Sequence, residues 1–137
     1  MPLFDGTYII DLARGDPGAL RKAEGTDEGS FPAALSVLSV HEYLYGVHRR
    51  FGRSSHEALE EKLSAALAHI SRFELIPFTA AIAETSSGMQ AELVSLGRLI
   101  GINELYIAAT ALKFEMPLVT RNLAEFRQVP KLKLEGY

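Results

Sequence analysis

Cysteine is missing altogether from the 137 residues. That absence excludes a disulfide framework, a cysteine-ligated zinc or iron–sulfur centre and a thiol nucleophile. Any catalysis must use oxygen, imidazole or amine groups. A strong excess of one charge is missing too: 14 Lys and Arg stand against 17 Asp and Glu, a net charge of −3 with pI near 5.8. Nucleic acid held by bulk electrostatics is therefore not expected, whereas a local basic rim is compatible with this balance. No uncharged run approaches the roughly 20 residues needed to cross a bilayer. The opening Met1-Pro2-Leu3-Phe4-Asp5 has no basic stretch, and Asp5 and Asp11 interrupt its apolar residues, unlike a signal peptide. The expectation is a cytoplasmic protein without a membrane segment.

What is present suits one folded unit. Apolar residues make up 47% and charged residues 23%, enough to bury a core, and the length matches a single domain over residues 1–137. Leu3-Phe4 reads as a strand and Asp5-Gly6 as a turn, with Thr7 capping a helix from Tyr8. Asp16-Pro17 opens a second helix that should stop near Gly25, followed by a loop to Ser30. Ala33 to Leu38 reads as a strand. Ser39 and Glu42 have capping-box spacing before a helix to about Phe51, and Ser54 and Glu57 repeat it before a helix to Ile70. Phe73 to Phe78 is a third strand. Thr79 caps a helix to Gly97 across the helix-weakening Thr85-Ser86-Ser87-Gly88, and Asn103 caps one from Glu104 that halts before Pro117. Leu118 to Thr120 and Lys131 to Leu134 complete the set. Strands alternating with helices imply an α/β fold, a central parallel sheet of about five strands flanked by helices. Ligands of such sheets bind beyond the carboxyl ends of the strands.

Acidic residues fall at those ends. Taken singly, each has an ordinary explanation: Asp5 as a turn residue, Glu42 as the third position of a capping box, Glu104 as a first-turn acid favoured by the helix dipole. Their neighbours add to this. Glu42 shares a helix face with Tyr45, Gly46 and Arg49, opposite the apolar face of Val40, Tyr43, Leu44 and Val47. Glu104 lies on the stripe of Ile107, Ala108 and Ala111, where an ionised carboxylate needs a cation or donors. Asn122 stands after the fourth strand as a candidate cap, and Glu125 reads most simply as a surface acid.

Three separated acids at one end of a sheet repel one another, and a hard divalent cation, Mg2+ or Mn2+, relieves that repulsion in oxygen-only sites. Such a cation serves phosphate chemistry. Other nucleophiles have little support: His41, His48, His56 and His69 lack triad-like or ligand-like partners and read as surface or boundary residues. Gly97 to Gly101 lacks the spacing of a glycine-rich phosphate loop.

Four blocks, Leu3 to Leu12, Leu38 to Gly46, Gly101 to Ala111 and Leu118 to Phe126, with a closing segment from Leu132 to Tyr137, resemble the PIN-domain ribonucleases, particularly VapC-type toxins of toxin–antitoxin pairs. The resemblance implies a single PIN-like domain and a metal-dependent endoribonuclease whose metal-holding acids are Asp5, Glu42 and Glu104. Glu104 stands where the family usually has aspartate. The fourth acidic position is Asn122, which makes Glu125 its candidate substitute. Thr7 and Thr120 would support the site by hydrogen bonding. The resemblance also implies RNA as substrate, a small antitoxin as partner and a homodimer.

Arg49, Arg98 and Arg121 are the candidates for a basic rim around the acids, although each also suits a solvated surface. The alanine-rich Glu57 to Ile70 helix and the Thr79 to Leu96 helix are the apolar surfaces available for self-association, core packing being the simpler alternative. Two rival functions stay open: a non-catalytic PIN-like RNA-binding module, and a haloacid-dehalogenase-type phosphatase, suggested by Phe4-Asp5-Gly6-Thr7. Leu3 occupies the position of that phosphatase's nucleophile.

Overall fold

The computed structural model describes residues 1–28 and 33–137. Leu3 and Phe4 form β1, whose two side chains point to opposite sheet faces and are both fully buried. Around β1 lie β2 (Ala34–Ser36), β3 (Glu74–Ile76), β4 (Leu118–Val119) and β5 (Leu134–Glu135), all parallel, in the order β3-β2-β1-β4-β5. Leu3 pairs with Ala34 on one side and Leu118 on the other.

Parallel neighbours need crossovers. They are α1 (Gly6–Ala13) and α2 (Pro17–Glu28), then α3 (Val37–Phe51) and α4 (His56–Ile70), then α5 (Ala80–Ser95) and α6 (Ile102–Lys113), and finally α7 (Leu123–Phe126). One sheet face carries Leu3, Ala34 and Leu118 against Ile82 and Leu93 of α5 and Leu105, Ile107, Ala108 and Ala111 of α6. The other carries Phe4, Leu35 and Val119 against Tyr8, Ile9, Tyr43, Ala66 and Ile70. With both faces covered, the strands are apolar throughout.

The chain leaves β1 in one direction, towards β2 and β3, and returns to the other side of β1 for β4 and β5. Connections therefore diverge between β1 and β4, and a crevice opens beyond the carboxyl ends of these two strands.

Several boundaries differ from the sequence reading. Asp5, not Thr7, caps α1: its carboxylate accepts from the Gly6 amide, so the helix begins one residue after the strand ends. The second helix does not stop at Gly25 but runs to Glu28, and the last part of the expected loop, Gly29 and Ser30, lies outside the described residues. Val37 and Leu38 belong to α3, because pairing with β3 ends at Ser36, whose hydroxyl caps the helix through the Leu38 amide. Ser39 and Glu42 are thus within the helix and form no capping box. Ser55 rather than Ser54 caps α4. Thr79 caps α5 as expected, and the helix runs unbroken through Thr85 to Gly88, where Ser86 and Ser87 return hydrogen bonds to carbonyls of the preceding turn. Gly101 occupies the cap of α6 without a side-chain bond, so Asn103 sits inside the first turn and is free for another partner. The last strand is Leu134–Glu135, where pairing with β4 fixes it, and not Lys131 to Leu134.

Candidate active site

Asp5 follows β1 directly and is only 6% exposed. Its Oδ1 accepts from the Gly6 amide at 2.7 Å, and its Oδ2 accepts from the hydroxyls of Thr120 at 2.8 Å and Thr7 at 3.3 Å. Thr120, at the end of β4, is itself held in place because its oxygen accepts from the Asn122 amide at 3.0 Å. Burial raises the Asp5 carboxyl above its ordinary value, these hydrogen bonds oppose the rise, and the charge of Glu125 adds to it.

Glu42 reaches the same end of the sheet from the first half of α3. Gly6 makes room for it: a Cβ at that position would stand 2.9 Å from Glu42 Oε2. The other oxygen, Oε1, accepts from Asn103 Nδ2 at 3.1 Å. Burial raises the Glu42 carboxyl, the Asn103 bond opposes this, and the charges of Asp5 and Glu104 raise it further. Beside Gly6 and one helical turn before Glu42 lies Ser39, fully buried, whose Oγ has no hydrogen-bond partner.

Helix α6 runs antiparallel to the strands and so starts at their carboxyl ends, bringing Glu104 to the crevice. Gly101 again supplies space, because a Cβ there would run into Glu104 Oε2 and lie 3.6 Å from Glu125 Oε1. Glu125, on α7, accepts from the Gly101 amide at 3.1 Å and from Asn122 Nδ2 at 2.7 Å. It is therefore not a free surface acid: it ties the start of α6 to α7 beside Glu104.

The structure thus gathers Asp5, Glu42, Glu104, Asn122 and Glu125 around the crevice, with Thr7 and Thr120 on Asp5. Among the described residues no three histidine or acidic side chains stand close enough to enclose one ion. Sequence reasoning missed Asn103, Gly6, Gly101 and Ser39. In the sequence the first reads as a helix cap and the second as a turn residue; the available signal is their immediate adjacency to Glu104 and Asp5.

The arginines differ in setting. Arg49 is exposed on α3. Arg98 donates to the Gln128 carbonyl at 2.9 Å, bracing the segment before α6. Arg121 donates to both oxygens of Asp16, at 3.0 and 2.7 Å, lies 3.5 Å from Asp11, and stacks its guanidinium 4.5 Å above the Tyr137 ring. A cleft of about 580 Å³ opens beside Asp5, lined by Thr7, Ile10, Asp11, Arg14, Arg121 and Asn122.

Residues 3–132 match the PIN domain family. Ribonuclease VapC2 of Rickettsia felis is 34% identical over 104 residues, covering 76% of this chain and 73% of the relative. Ribonuclease VapC2 of Haemophilus influenzae is 30% identical over 135 residues, covering 98% of this chain and 96% of the relative. Among solved structures, VapBC2 from Rickettsia felis bound to a DNA fragment from its promoter superposes with a TM-score of 0.81 at 28% identity, over 98% of this chain and 97% of that one. The fold argues against the phosphatase alternative, since Leu3, where its nucleophile would stand, is sealed in the core. No helix among the described residues is long and apolar enough to cross a membrane. With a family match over residues 3–132 and ribonuclease relatives at 34% and 30% identity that cover about three quarters or more of both chains, the chain belongs to the PIN-domain family of VapC ribonucleases.

Proposed function

We propose that this protein is an endoribonuclease that depends on Mg2+ or Mn2+, acting as the toxin of a VapC-type pair neutralised by a small antitoxin. The observation that carries the reading is the meeting of Asp5 and Glu42 across Gly6 at the crevice between β1 and β4, in a domain shared with ribonucleases. Their donor set suits the cation. It is oxygen-only, and Mg2+ binds through one or two carboxylates, keeping waters and taking substrate phosphate oxygens for the rest. The unpaired Ser39 hydroxyl beside Gly6 offers a further polar contact to a hydrated ion. Asp5 and Glu42 would hold it, with Glu104, Glu125 and Asn122 bounding the site. When bound, such a cation supplies Lewis acidity at the phosphodiester and a nucleophile at neutral pH.

The chain's own residues prepare this. Thr120 and Gly6 orient Asp5 through fixed donors, so its charge is aimed before RNA arrives. Asn103 fixes Glu42 from the facing helix. Arg49 is proposed to lie along the RNA path, whereas Arg98 and Arg121 are engaged by the Gln128 carbonyl and by Asp16 and act on the site through the elements they brace. An arginine or lysine of the antitoxin would pair with the same carboxylates and exclude the metal. For a homodimer, Val94, Leu96, Leu99 and Ile102 present apolar side chains from the end of α5 to the start of α6, each at least half exposed.

The test is cleavage of single-stranded RNA by purified protein with Mg2+ or Mn2+, in EDTA, and with metal restored. Activity that appears only with metal and is lost in Glu42→Gln is the expected result. RNA binding without cleavage under every metal would instead favour the non-catalytic module.

A further inference from the structure

The cleft beside Asp5 holds two arginines of unequal freedom. Arg121 is fully engaged: its two terminal nitrogens bind Asp16, Asp11 lies 3.5 Å away, and the Tyr137 ring covers one face. Asp11, the acid of the lining, is satisfied as well, since it faces Arg121 and its Oδ2 accepts from the Tyr137 hydroxyl at 2.8 Å. Arg14 is different. It stands exposed at the C-terminal cap of α1, and its guanidinium makes no hydrogen bond or ion pair with the described residues. Arg121 is therefore taken up by Asp11 and Asp16, and although these four charges sum to zero, the guanidinium of Arg14 is the one left without a partner side chain among the described residues.

The position of that unpaired guanidinium matters. Thr7, which donates to Asp5 Oδ2, and Ile10 lie between the acid site and Arg14 on the same helix, so the cleft runs from the carboxylates along α1 to the guanidinium. Arg14 is two helical turns beyond Thr7, a rise of about 10 Å, which exceeds the spacing of adjacent phosphates in a folded strand and suits a phosphate further along it. We propose that Arg14 forms a phosphate subsite for RNA flanking the scissile bond, while Arg121 acts as a latch that fixes the cleft wall. This rests on the nuclease reading for the identity of the polyanion. An arginine at the end of α1 is also favoured by the helix dipole alone, and that role predicts an effect on stability and none on RNA.

The experiment measures binding of a labelled single-stranded RNA by anisotropy at several salt concentrations, in the Glu42→Gln background so that the RNA stays intact, and cleavage in the otherwise native chain. Arg14→Gln is expected to weaken binding about tenfold, the loss of one charge-assisted contact. It should also reduce the salt slope by about 0.7, the single-strand value for one phosphate. Arg14→Lys should restore the slope and part of the affinity, because it keeps charge without the fork. In cleavage the loss falls on KM. Arg121→Gln should lower Tm. Unchanged affinity and salt slope in Arg14→Gln would overturn the subsite even if the native chain cleaves RNA. An Arg14-dependent salt slope in a chain that cleaves nothing would uphold the subsite and overturn the nuclease reading.

Discussion

Thr120 donates its hydroxyl hydrogen to Asp5 Oδ2 at 2.8 Å, joining the ends of β4 and β1 across 115 positions of sequence, and both residues are buried. Thr120→Val keeps the shape and removes both the donor to Asp5 and the acceptor of the Asn122 amide. Asp5 then loses a bond that opposes the rise caused by burial, so its carboxyl moves further up. The expected cost is about 1–3 kcal/mol at pH 7, the penalty of an unsatisfied buried group. Denaturant titrations should show that cost shrinking towards acid pH, where Asp5 is protonated in both variants. A cost independent of pH would mean that packing or the lost bond from the Asn122 amide, not the bond to Asp5, carries it.

Glu42 supplies a second pH dependence. Its folded carboxyl lies above the ordinary 4.5, so its contribution to stability is fully present below that value and is lost as pH rises through the folded value. The metal-free protein is thus strained at neutral pH by the charges that serve its function. Glu42→Gln retains the oxygen that accepts from Asn103 and removes the charge. In melting experiments without metal it should equal or exceed the native Tm at pH 7, and the difference should vanish near pH 4. Mn2+ should raise the native Tm and leave the variant almost unmoved.

How far this site is legible in the sequence depends on whether its determinants are local. The strand at Leu3-Phe4, the cap at Thr79 and the Pro17 helix start are written in adjacent residues, and the structure has them. Ser36 and Ser39 both offer a capping hydroxyl near the start of α3, and only the pairing of Ser36 with Ile76 on β3 decides which is the cap. The same holds for the last strand, a two-residue element defined by its pairing with β4. Asn103 looks like a cap because its partner, Glu42, lies 61 positions upstream. Spacing cannot show that bond, and it cannot show the space a glycine leaves for a distant carboxylate.

Asn103→Ala removes the donor that orients Glu42. Outer hydrogen-bond partners of metal ligands are worth about 10–100-fold in affinity or activity, and a loss in that range is expected. Raising Mn2+ should recover part of it. Asn103→Asp places a second negative charge against Glu42 and should be worse than alanine at pH 7, the order reversing as pH falls. Equal losses at every pH would show that Asn103 acts by filling space alone.

Gly6→Ala separates stability from function at one atom. Gly6 lies in the first turn of α1, where alanine is the better helix former by about 0.5–1 kcal/mol. The added Cβ, however, meets Glu42 Oε2 at 2.9 Å. That oxygen ends a flexible side chain, so it can swing away at little cost to the fold. The variant should melt at or above the native temperature and lose most metal-dependent cleavage, because Glu42 has been displaced from Asp5. Should it instead unfold, the backbone around Asp5 would be more rigid than the contact with a side-chain end requires. Should it cleave at the native rate, Glu42 would not work across Gly6 at all, and the carboxylate pair with Asp5 would be an incidental neighbour of the chemistry.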